Sequence, residues 1–260
     1  MSEARSTKIV MVTGSTQGIG LAIAKRFSLD KDDGGDDYDA LTIVCSRSYK
    51  KASYICKKLG ENTIPLEIDI TNSTQITKSI DYIFDRFGKI DVLINNAGFR
   101  FDKKIWYKKL HQISDSDFEN ILDVDLKGTF RMCRQILPSM VKRKKGIIVN
   151  ISSISALRGH TEGSPYTIAK AGIVALTKHI AREYGKYNIR AYTLALGNIS
   201  TDATYNFMKE KDIEYSKQES SMKRWGRPEE VANIAYLLSS NSFSYTTGNT
   251  IVVDGGTIMF

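Results

Sequence analysis

Short apolar runs rich in β-branched residues alternate along this 260-residue chain with longer segments in which apolar residues recur every three or four positions. The short runs predict strands, and the longer segments predict helices. Several runs are almost continuously apolar, as expected for parallel strands that helices cover on both faces. Seven strands are predicted in this way, at residues 8–13, 41–45, 63–68, 92–95, 147–151, 189–194 and 250–253.

The segments between the predicted strands are long enough for right-handed crossovers, so the alternation indicates an α/β fold built on a doubly wound parallel sheet. No internal repeat or linker divides the chain, and we expect residues 1–260 to form a single dinucleotide-binding and catalytic domain. The acidic stretch at residues 30–37 falls between the first helix and the second strand, and it is interpreted as a solvated surface insertion.

The composition is that of a soluble globular protein, with 42% hydrophobic and 25% charged residues. The sequence contains neither an apolar run that could span a bilayer nor the apolar stretch of a signal peptide near its start. We therefore expect a cytoplasmic protein without a membrane partner. Three widely spaced cysteines (Cys45, Cys56 and Cys133) and only three histidines indicate neither a disulfide framework nor a metal site.

The formal net charge of +8 favours an anionic partner. A phosphorylated cofactor, coenzyme A, an acidic carrier protein and nucleic acid all satisfy that condition. The densest basic run, residues 142–145, coincides with the predicted end of a helix, where cations complement the helix dipole. Other basic residues are dispersed and no nucleic-acid-binding motif occurs, so nucleic acid is not an expected partner.

A glycine-rich turn follows the first predicted strand and leads directly into a helical pattern. Glycines in this position let the backbone approach a pyrophosphate, while the helix N-terminus supplies amide groups and positive potential. The turn therefore predicts a dinucleotide-binding site. Its residues are Thr13, Gly14, Ser15, Thr16, Gln17, Gly18, Ile19 and Gly20.

The end of the second predicted strand indicates which dinucleotide binds. An acidic residue there would bind the ribose hydroxyls of NAD, but this chain has Ser46, Arg47 and Ser48. A guanidinium fork with two hydroxyl donors suits the additional phosphate of NADP, so NADP(H) is favoured over NAD(H). The alternative is that Arg47 simply faces solvent at the start of a helix.

Tyr166 and Lys170 lie four residues apart, on one face of a predicted helix, and Ser153 lies thirteen residues before Tyr166. An ammonium group beside a phenol favours the ionised phenol and lowers its pKa, which makes Tyr166 a candidate general acid and base. Ser153 is a candidate hydrogen-bond donor to a substrate oxygen. Because such pairs also occur on ordinary surface helices, this interpretation depends on the rest of the chain.

Several motifs, taken in order, resemble the short-chain dehydrogenase/reductase family in its single-domain form over essentially the whole chain. They are the glycine turn, Asn95-Asn96-Ala97-Gly98 after the fourth strand, Ser153, the Tyr166/Lys170 pair and the closing Val253-Asp254-Gly255-Gly256. The resemblance implies a Rossmann-like seven-stranded parallel sheet with helices on both faces. It also implies hydride transfer between a nicotinamide and a substrate carbon.

The resemblance also assigns roles by position. It implies that Tyr166 is the acid/base, that Lys170 supports it and holds the nicotinamide ribose, and that Ser153 orients the carbonyl. Asp69 is expected at the adenine, and Asn95 and Ala97 are expected along the ribose. Further cofactor contacts are implied for Ile70, Asn96, Gly98, Gly197, Ile199 and Thr201.

Three positions depart from the family pattern. Asp125 stands where the family usually has a catalytic asparagine, and it is kept here as a catalytic candidate that accepts hydrogen bonds but cannot donate as an amide does. The proton relay then either changes its pH dependence or is impaired. Leu196 replaces the usual proline before Gly197, which leaves that loop less restricted. Gln17 replaces the basic residue of many NADP enzymes and weakens the NADP preference.

The resemblance is greatest to 3-oxoacyl-carrier-protein reductases, so NADPH-dependent reduction of a 3-oxoacyl thioester is the first hypothesis. An acidic acyl carrier protein or coenzyme A would then be the partner, with Lys144 and Lys186 as candidate contacts, and a homotetramer is expected. A sugar or polyol dehydrogenase of the same family and a non-catalytic NADP(H)-binding regulator are the alternatives. The substrate walls are expected at residues 99–107, 155–165 and 200–222.

Overall fold

The computed structural model describes residues 7–29, 40–205 and 210–259, and all seven predicted strands are present there within two residues of the predicted bounds. The acidic stretch at 30–37 lies outside the described residues. The strands are β1 (Lys8–Val12), β2 (Ala40–Ser46), β3 (Thr63–Glu67), β4 (Val92–Asn95), β5 (Gly146–Ser153), β6 (Ile189–Leu196) and β7 (Thr250–Val253).

Helices connect consecutive strands. In the described part of the chain they are α1 (Gly18–Ser28), α2 (Tyr49–Leu59), α3 (Ser73–Phe87), α4 (Lys103–Trp106), α5 (Asp115–Leu122), α6 (Thr129–Arg143), α7 (Ser155–Arg158), α8 (Ser164–Tyr184), α9 (Asp202–Tyr205), α10 (Glu210–Glu219) and α11 (Pro228–Leu238). A π-helical turn, Asp123–Gly128, joins α5 to α6. Short 3₁₀ turns occupy Leu110–Gln112, Gly185–Tyr187 and Asn241–Phe243. None of the helices described is both long and apolar enough to cross a membrane.

The seven strands form one parallel sheet in the order β3-β2-β1-β4-β5-β6-β7. Successive strands are added in one direction from β1 to β3 and in the other direction from β4 to β7, so the order of strands reverses between β1 and β4. These two strands are parallel neighbours, with Val10 paired with Val92 and Val12 with Ile94. A crevice opens at such a reversal, beyond the carboxyl ends of the strands. The predicted α/β, Rossmann-like doubly wound sheet is confirmed, and its switch point lies at the glycine turn.

Apolar side chains cover both faces of the sheet. Met11 of β1 packs in the layer beneath α3 and α6, and the next residue, Val12, packs in the layer beneath α1 and α11. Phe27 and Tyr236 join the latter two helices through rings 5.3 Å apart. Since both layers exclude water, the strands read as continuous apolar runs rather than alternating ones.

The three cysteines lie inside these layers as free, buried thiols. Burial raises the pKa of Cys133 to about 12 and raises the pKa of Cys56 as well. A thiol held in its neutral form is a weak nucleophile. The side chains therefore act as small apolar residues, as the sequence indicated.

A fully buried chain of polar groups crosses the middle of the sheet. Asn95 Nδ2 donates to Asn150 Oδ1 at 2.8 Å, and Asn150 Nδ2 donates to Thr177 Oγ1 at 2.9 Å. Thr177 also accepts from Thr193 Oγ1 at 2.8 Å and donates to the Ile173 carbonyl, which uses the whole hydrogen-bonding capacity of its hydroxyl group. These bonds tie β4, β5 and β6 to α8, and so fix the height of α8 on the sheet.

We expect Asn150→Ala to lower the free energy of unfolding by about 2 kcal/mol or more, because it leaves the Asn95 amide without its carboxamide acceptor in the core. The measurement is urea denaturation followed by circular dichroism. Asn120→Ala, on the exposed side of α5, is the matched control and should change the free energy by less than about 0.5 kcal/mol. Equal effects of the two substitutions would contradict a structural role for this network.

Candidate active site

The glycine turn between β1 and α1 has no room for larger residues. A Cβ atom on Gly14 would lie 2.9 Å from Ala97 Cα, and one on Gly20 would clash with the Gly14 carbonyl and the Asn96 amide. Gly14 and Gly18 also have φ angles of +63° and +55°, in the left-handed region. The turn therefore requires glycine for its contact with the loop after β4, apart from any ligand.

Hydrogen bonds from Thr13 and Asn96 hold the same contact. Thr13 Oγ1 accepts the backbone N–H groups of Asn96 and Ala97, each at 3.0 Å. Asn96 Nδ2 donates in return to the carbonyls of Thr13 and Gly14, at 3.0 and 3.2 Å. The Asn96 side chain is thus a strut between the two loops, and Ala97 and Gly98 follow it at the edge of the crevice.

Ser15 joins the turn to β2. Its fully buried Oγ donates to the Val12 carbonyl at 2.8 Å and accepts the Cys45 N–H at 2.9 Å. Thr16 is half-buried and Gln17 is exposed. Gln17, which precedes α1, makes no side-chain cap, and the first turn of α1 contains no acidic residue. The positive end of this helix therefore faces the crevice uncapped by the chain, which suits a pyrophosphate.

The residues after β2 lie at the same edge of the sheet. Ser46 Oγ accepts the Ser48 N–H at 3.2 Å, and Ser48 Oγ accepts the Lys51 N–H at 3.4 Å to cap α2. Arg47 is exposed between them, and no residue of the described ranges pairs with its guanidinium group. An exposed cation, which has no partner among the described residues, and two hydroxyl groups thus lie together after β2.

Glu67 is a residue of this corner that the sequence pattern did not reveal. It ends β3 in register with Ser46, and its Oε2 accepts the Tyr49 N–H at the start of α2 at 2.9 Å. A carboxylate near a phosphate site opposes phosphate binding, but here it is turned toward a helix N-terminus, which stabilises it. The register of β3 against β2 pairs Glu67 with Ser46, the residue before Arg47, and only the fold reveals that register.

Asp69 and Ile70 follow β3 and lie near the crevice. Asp69 Oδ1 accepts the N–H and the hydroxyl of Thr71, at 2.9 and 2.8 Å, so this carboxylate shapes its own turn. Ile70 is buried against Gly128, where any side chain would overlap with it. The predicted adenine contact of Asp69 stays a prediction.

The Asn95 side chain has a structural role. Its amide is buried and points to Asn150 and to Cys133 Sγ, 3.3 Å away, within the core. The side chain is thus directed into the core, and the expected position of Asn95 along the cofactor ribose stays a prediction for its backbone. The sequence could not separate Asn95 from Asn96, because only the fold shows which of the two amides turns inward.

The loop after β6 closes over the glycine turn. Gly197 lies so close to Asp254 that a Cβ would come within 2.7 Å of the Asp254 Cβ, and the Thr201 methyl group lies 3.5 Å from the position of a Cβ on Gly18. The Ile199 side chain is buried in the core, which leaves only its backbone for a ligand. The structure thus brings Gly197 and Thr201 to the crevice.

Leu196, where the family usually has proline, is buried at the end of β6. Its carbonyl accepts the Ile154 N–H at 3.0 Å, and the Gly197 N–H donates to the Val253 carbonyl at 3.0 Å. These strand-end hydrogen bonds restrict the backbone from both sides. Leu196 lacks the restriction on φ that a proline ring would impose, and these hydrogen bonds to the ends of β5 and β7 compensate for it.

A second segment anchors this loop. The Gly226 N–H donates to the Asn198 carbonyl at 2.9 Å, directly before α11 begins. Glu230 in the first turn of that helix binds Arg224 through both carboxylate oxygens, at 2.7 and 2.9 Å, and accepts the Arg227 N–H. The hydrogen bonds from Arg224, with that from Arg227, hold the pKa of Glu230 at about 2. The anchor is therefore charged at every physiological pH.

Tyr166 and Lys170 lie on consecutive turns of α8. Lys170 is only 6% exposed, and its Nζ lies 5.4 Å from the centre of the Tyr166 ring. Nζ donates to the Ile151 carbonyl at 3.3 Å, and the Lys170 carbonyl accepts the Ser152 hydroxyl at 2.9 Å. The predicted pair is thus held against the end of β5, with a buried cation beside a half-buried phenol.

Asp125 lies in the π-helical turn and is completely buried. Its Oδ1 accepts the Phe99 N–H at 2.8 Å and lies 3.8 Å from Lys170 Nζ. A Cβ on Gly98 would come within 2.8 Å of the same oxygen. The one-residue bulge of a π turn re-aims side chains, and here it directs a carboxylate at Lys170.

Ser153 ends β5 and is half-buried beside this group. Its Oγ accepts the backbone N–H of Ser155 at 3.2 Å, and the Ser155 hydroxyl lies 3.0 Å from the same atom and donates to it. With both acceptor positions used, the Ser153 hydrogen is free to point outward as a donor. Ser155, which the sequence pattern did not single out, sets this orientation.

Trp106 packs beside the Tyr166 ring. Its ring centre lies 5.2 Å from Phe101, 5.6 Å from His160 and 5.6 Å from Tyr166. Its carbonyl accepts the Gly163 N–H at 2.9 Å, and a Cβ on Gly163 would come within 2.5 Å of the indole. Two of the predicted wall segments, 99–107 and 155–165, therefore form one aromatic surface next to Tyr166.

The third predicted wall segment, 200–222, is described except for residues 206–209. It contains α9 and α10, and Glu219 at the end of α10 lies 3.5 Å from Arg158 of the second wall segment. Trp225 donates to Ser216 at 2.9 Å and ties α10 to the anchor before α11. The segment thus borders the site next to the second wall segment.

Comparisons with known proteins agree with this geometry. The family model described as Enoyl-(Acyl carrier protein) reductase matches residues 14–257. The 3-oxoacyl-[acyl-carrier-protein] reductase of Buchnera aphidicola is 34% identical over 253 residues, which cover 97% of this chain and 98% of that protein. Glucose 1-dehydrogenase 2 of Bacillus subtilis is 32% identical over 254 residues, with 97% and 95% covered.

Among solved structures, the 3-oxoacyl-[acyl-carrier protein] reductase of Brucella melitensis superposes with a TM-score of 0.87 at 29% identity, over 97% of this chain and 92% of that one. Both the matched length and the fold cover the glycine turn, the Tyr166/Lys170 pair and the closing strand. The chain belongs to the short-chain dehydrogenase/reductase family and is an NAD(P)-dependent oxidoreductase that acts on a carbonyl/alcohol pair.

Proposed function

We propose that this protein reduces a 3-oxoacyl thioester to the 3-hydroxyacyl thioester with NADPH, and that Tyr166 is the acid that protonates the carbonyl oxygen. The buried Lys170 beside Tyr166, at the carboxyl end of β5 and close to Gly98 in the loop after β4, is the observation that carries the proposal. A cation is buried where a phenol must exchange a proton, which is costly unless it serves the chemistry or is fully paired.

The residues present fit a nicotinamide dinucleotide, because the glycine turn lies at the crevice where the order of strands reverses and α1 presents an uncapped N-terminus there. When bound, NADPH supplies the hydride for the carbonyl carbon. The chain supplies the rest. Ser153, oriented by Ser155, donates a hydrogen bond to the carbonyl oxygen, and Tyr166 delivers the proton to that oxygen as the alcohol forms. Lys170 stabilises the phenolate left behind.

The acyl thioester is favoured by the walls of the site and by the relatives. Trp106 and Phe101 offer an apolar surface suited to an acyl chain, and the reductases of Buchnera and Brucella carry that activity in their names. Sugar or polyol oxidation is the second candidate, because Glucose 1-dehydrogenase 2 is similar over the same length. The polar His160 at the edge of Trp106 suits a hydroxylated substrate.

Exposed cations surround the aromatic wall. Arg100, Lys103 and Lys104 are exposed on or just before α4, within six residues of Trp106, whereas Lys108 is engaged by Asp117 at 2.6 Å. A thioester that reaches Tyr166 along Trp106 would place its phosphate-bearing arm among these three cations. Coenzyme A and acidic acyl carrier protein both carry such an arm. Lys144 and Lys186 remain candidate contacts for the carrier protein.

The cellular setting is also part of the proposal. We expect a cytoplasmic homotetramer in which α6 and α8 pack between subunits, without nucleic acid or membrane partners. Phe130 on α6 and Ile168 on α8 are each more than two-fifths exposed in one chain, which supports contact along those helices. Large apolar side chains on adjoining helices lower their free energy when a second subunit covers them.

The first prediction concerns turnover. Tyr166→Phe should lower kcat for acetoacetyl-CoA reduction by at least about a hundredfold, because it removes the proton donor while keeping the ring against Trp106. The measurement is the initial rate of NADPH absorbance loss. Binding of NADPH, followed by its fluorescence, is the control and should be preserved. Absence of turnover in the wild type with acyl and sugar substrates, despite cofactor binding, would instead favour a non-catalytic regulator.

The second prediction concerns cofactor choice. Arg47→Ala should raise KM for NADPH about tenfold and leave KM for NADH nearly unchanged, because it removes a charge-assisted hydrogen bond to the additional phosphate. Initial rates with each cofactor measure the effect. Lys57→Ala, at the other end of α2, is the matched control. Equal changes with both cofactors would show that Arg47 does not read the phosphate.

The third prediction concerns the arm of the substrate. Replacement of Lys103 and Lys104 by Glu should raise KM for acetoacetyl-CoA about fivefold at constant kcat, through lost and reversed attraction to phosphate. The acetoacetyl thioester of N-acetylcysteamine, which lacks phosphate, should show no change. Lys57→Glu combined with Lys58→Glu on α2 is the control. A rise in KM for both thioesters would contradict a phosphate contact.

A further inference from the structure

Asp125 is the buried charged residue of the site that the proposed reaction leaves without a role. Its Oδ1 accepts the Phe99 N–H and lies 3.8 Å from Lys170 Nζ, while Oδ2 is buried without a hydrogen-bond partner in the described part of the chain. Burial of a polar oxygen in this state costs free energy unless the charge has a purpose. The arrangement is therefore a candidate for electrostatic control.

The groups around the carboxylate indicate its charge state. Lys170 faces it from α8 as a cation, and the Phe99 amide faces it from the loop after β4 as a donor. Both stabilise a negative charge. A protonated carboxyl group would instead need an acceptor for its O–H, and no acceptor in the described residues is bonded to either oxygen.

The remaining charges nearby are neutralised among themselves. Asp123 of the same π turn binds Arg131 of α6 at 2.7 Å, and Lys127 binds Glu119 of α5. From α6 the Thr129 hydroxyl donates to the Asp125 carbonyl rather than to its carboxylate.

From β5 the Ile151 carbonyl faces Lys170, and from α8 the remaining titratable group at the site is Tyr166. Lys170 and Tyr166 are thus the two ionisable groups on which the Asp125 charge acts most strongly. Distance and burial favour an effect on both, since screening by water is weak at this depth.

We propose that Asp125 is an ionised positioning residue whose charge offsets that of the buried Lys170 and so weakens the attraction of the lysine for the Tyr166 phenol oxygen. This inference rests on the proposed role of Tyr166. An asparagine at this position would keep the acceptor for Phe99 but carry no charge, leaving the full lysine charge to act on the phenol. The residue thus biases the site toward the protonated phenol that carbonyl reduction requires.

The test compares the wild type with Asp125→Asn. The pH profile of kcat/KM for oxidation of the 3-hydroxyacyl-CoA, in which Tyr166 must act as the phenolate base, should show its acidic-limb inflection about one unit lower in the variant, because removal of the anion favours the phenolate. Asp123→Asn removes a neighbouring acid that is paired with Arg131 and should leave the inflection in place. An unchanged or higher inflection in Asp125→Asn would overturn the proposal.

A second readout does not depend on turnover. The ultraviolet phenolate absorbance of each protein, minus that of the same protein carrying Tyr166→Phe, titrates Tyr166 alone and should move in the same direction. If the proposed function fails because no substrate turns over, this titration still decides the charge effect. If Asp125→Asn does not fold, the wild type decides: an infrared band of a buried protonated carboxyl group at neutral pH overturns the proposal, and its absence supports it.

Discussion

The close contact between the glycine turn and the loop after β4 is the constraint on which the rest of the site depends. Thr13 Oγ1 accepts two N–H groups from the neighbouring loop, and the absence of side chains at Gly14 and Gly20 lets the two backbones touch. The contact lies at the ends of β1 and β4, the two neighbouring strands between which the order of strands reverses. It therefore fixes the width of the crevice at its base, and every cofactor-facing residue is placed relative to that width.

The seven strands and the order of the motifs along the chain could be predicted from the sequence. Strands that helices cover on both faces appear in the sequence as almost continuous apolar runs. The pairing of Tyr166 with Lys170 was equally accessible, since it is local to one helix. The direction in which Asn95 and Asn96 point was not, because adjacent residues on a strand end turn to opposite sides only once the sheet is built. Glu67 and Ser155 were missed for a related reason: each depends on register or on a turn formed after the strand ends.

The interior of this protein handles its polar groups in two different ways. Thr177 is satisfied completely by Asn150, Thr193 and a carbonyl, and it contributes rigidity beneath α8. Asp125, packed near Lys170 two turns earlier on the same helix, is buried with its Oδ2 unpartnered in the described part of the chain. The Thr177 hydroxyl supports the helix, whereas the carboxylate lies where the candidate site is built. Such a division is expected where a rigid scaffold carries a reactive group.

Trp106 and Gly163 couple two loops that are far apart in the chain, and this coupling constrains how the substrate range could change during evolution. Gly163 combines a left-handed backbone with direct contact to the indole, so no other side chain fits while the tryptophan is present. A smaller residue at position 106 would have to be accepted first. Remodelling of this wall therefore has an order of substitutions set by packing, and the tryptophan constrains the turn before α8 as well.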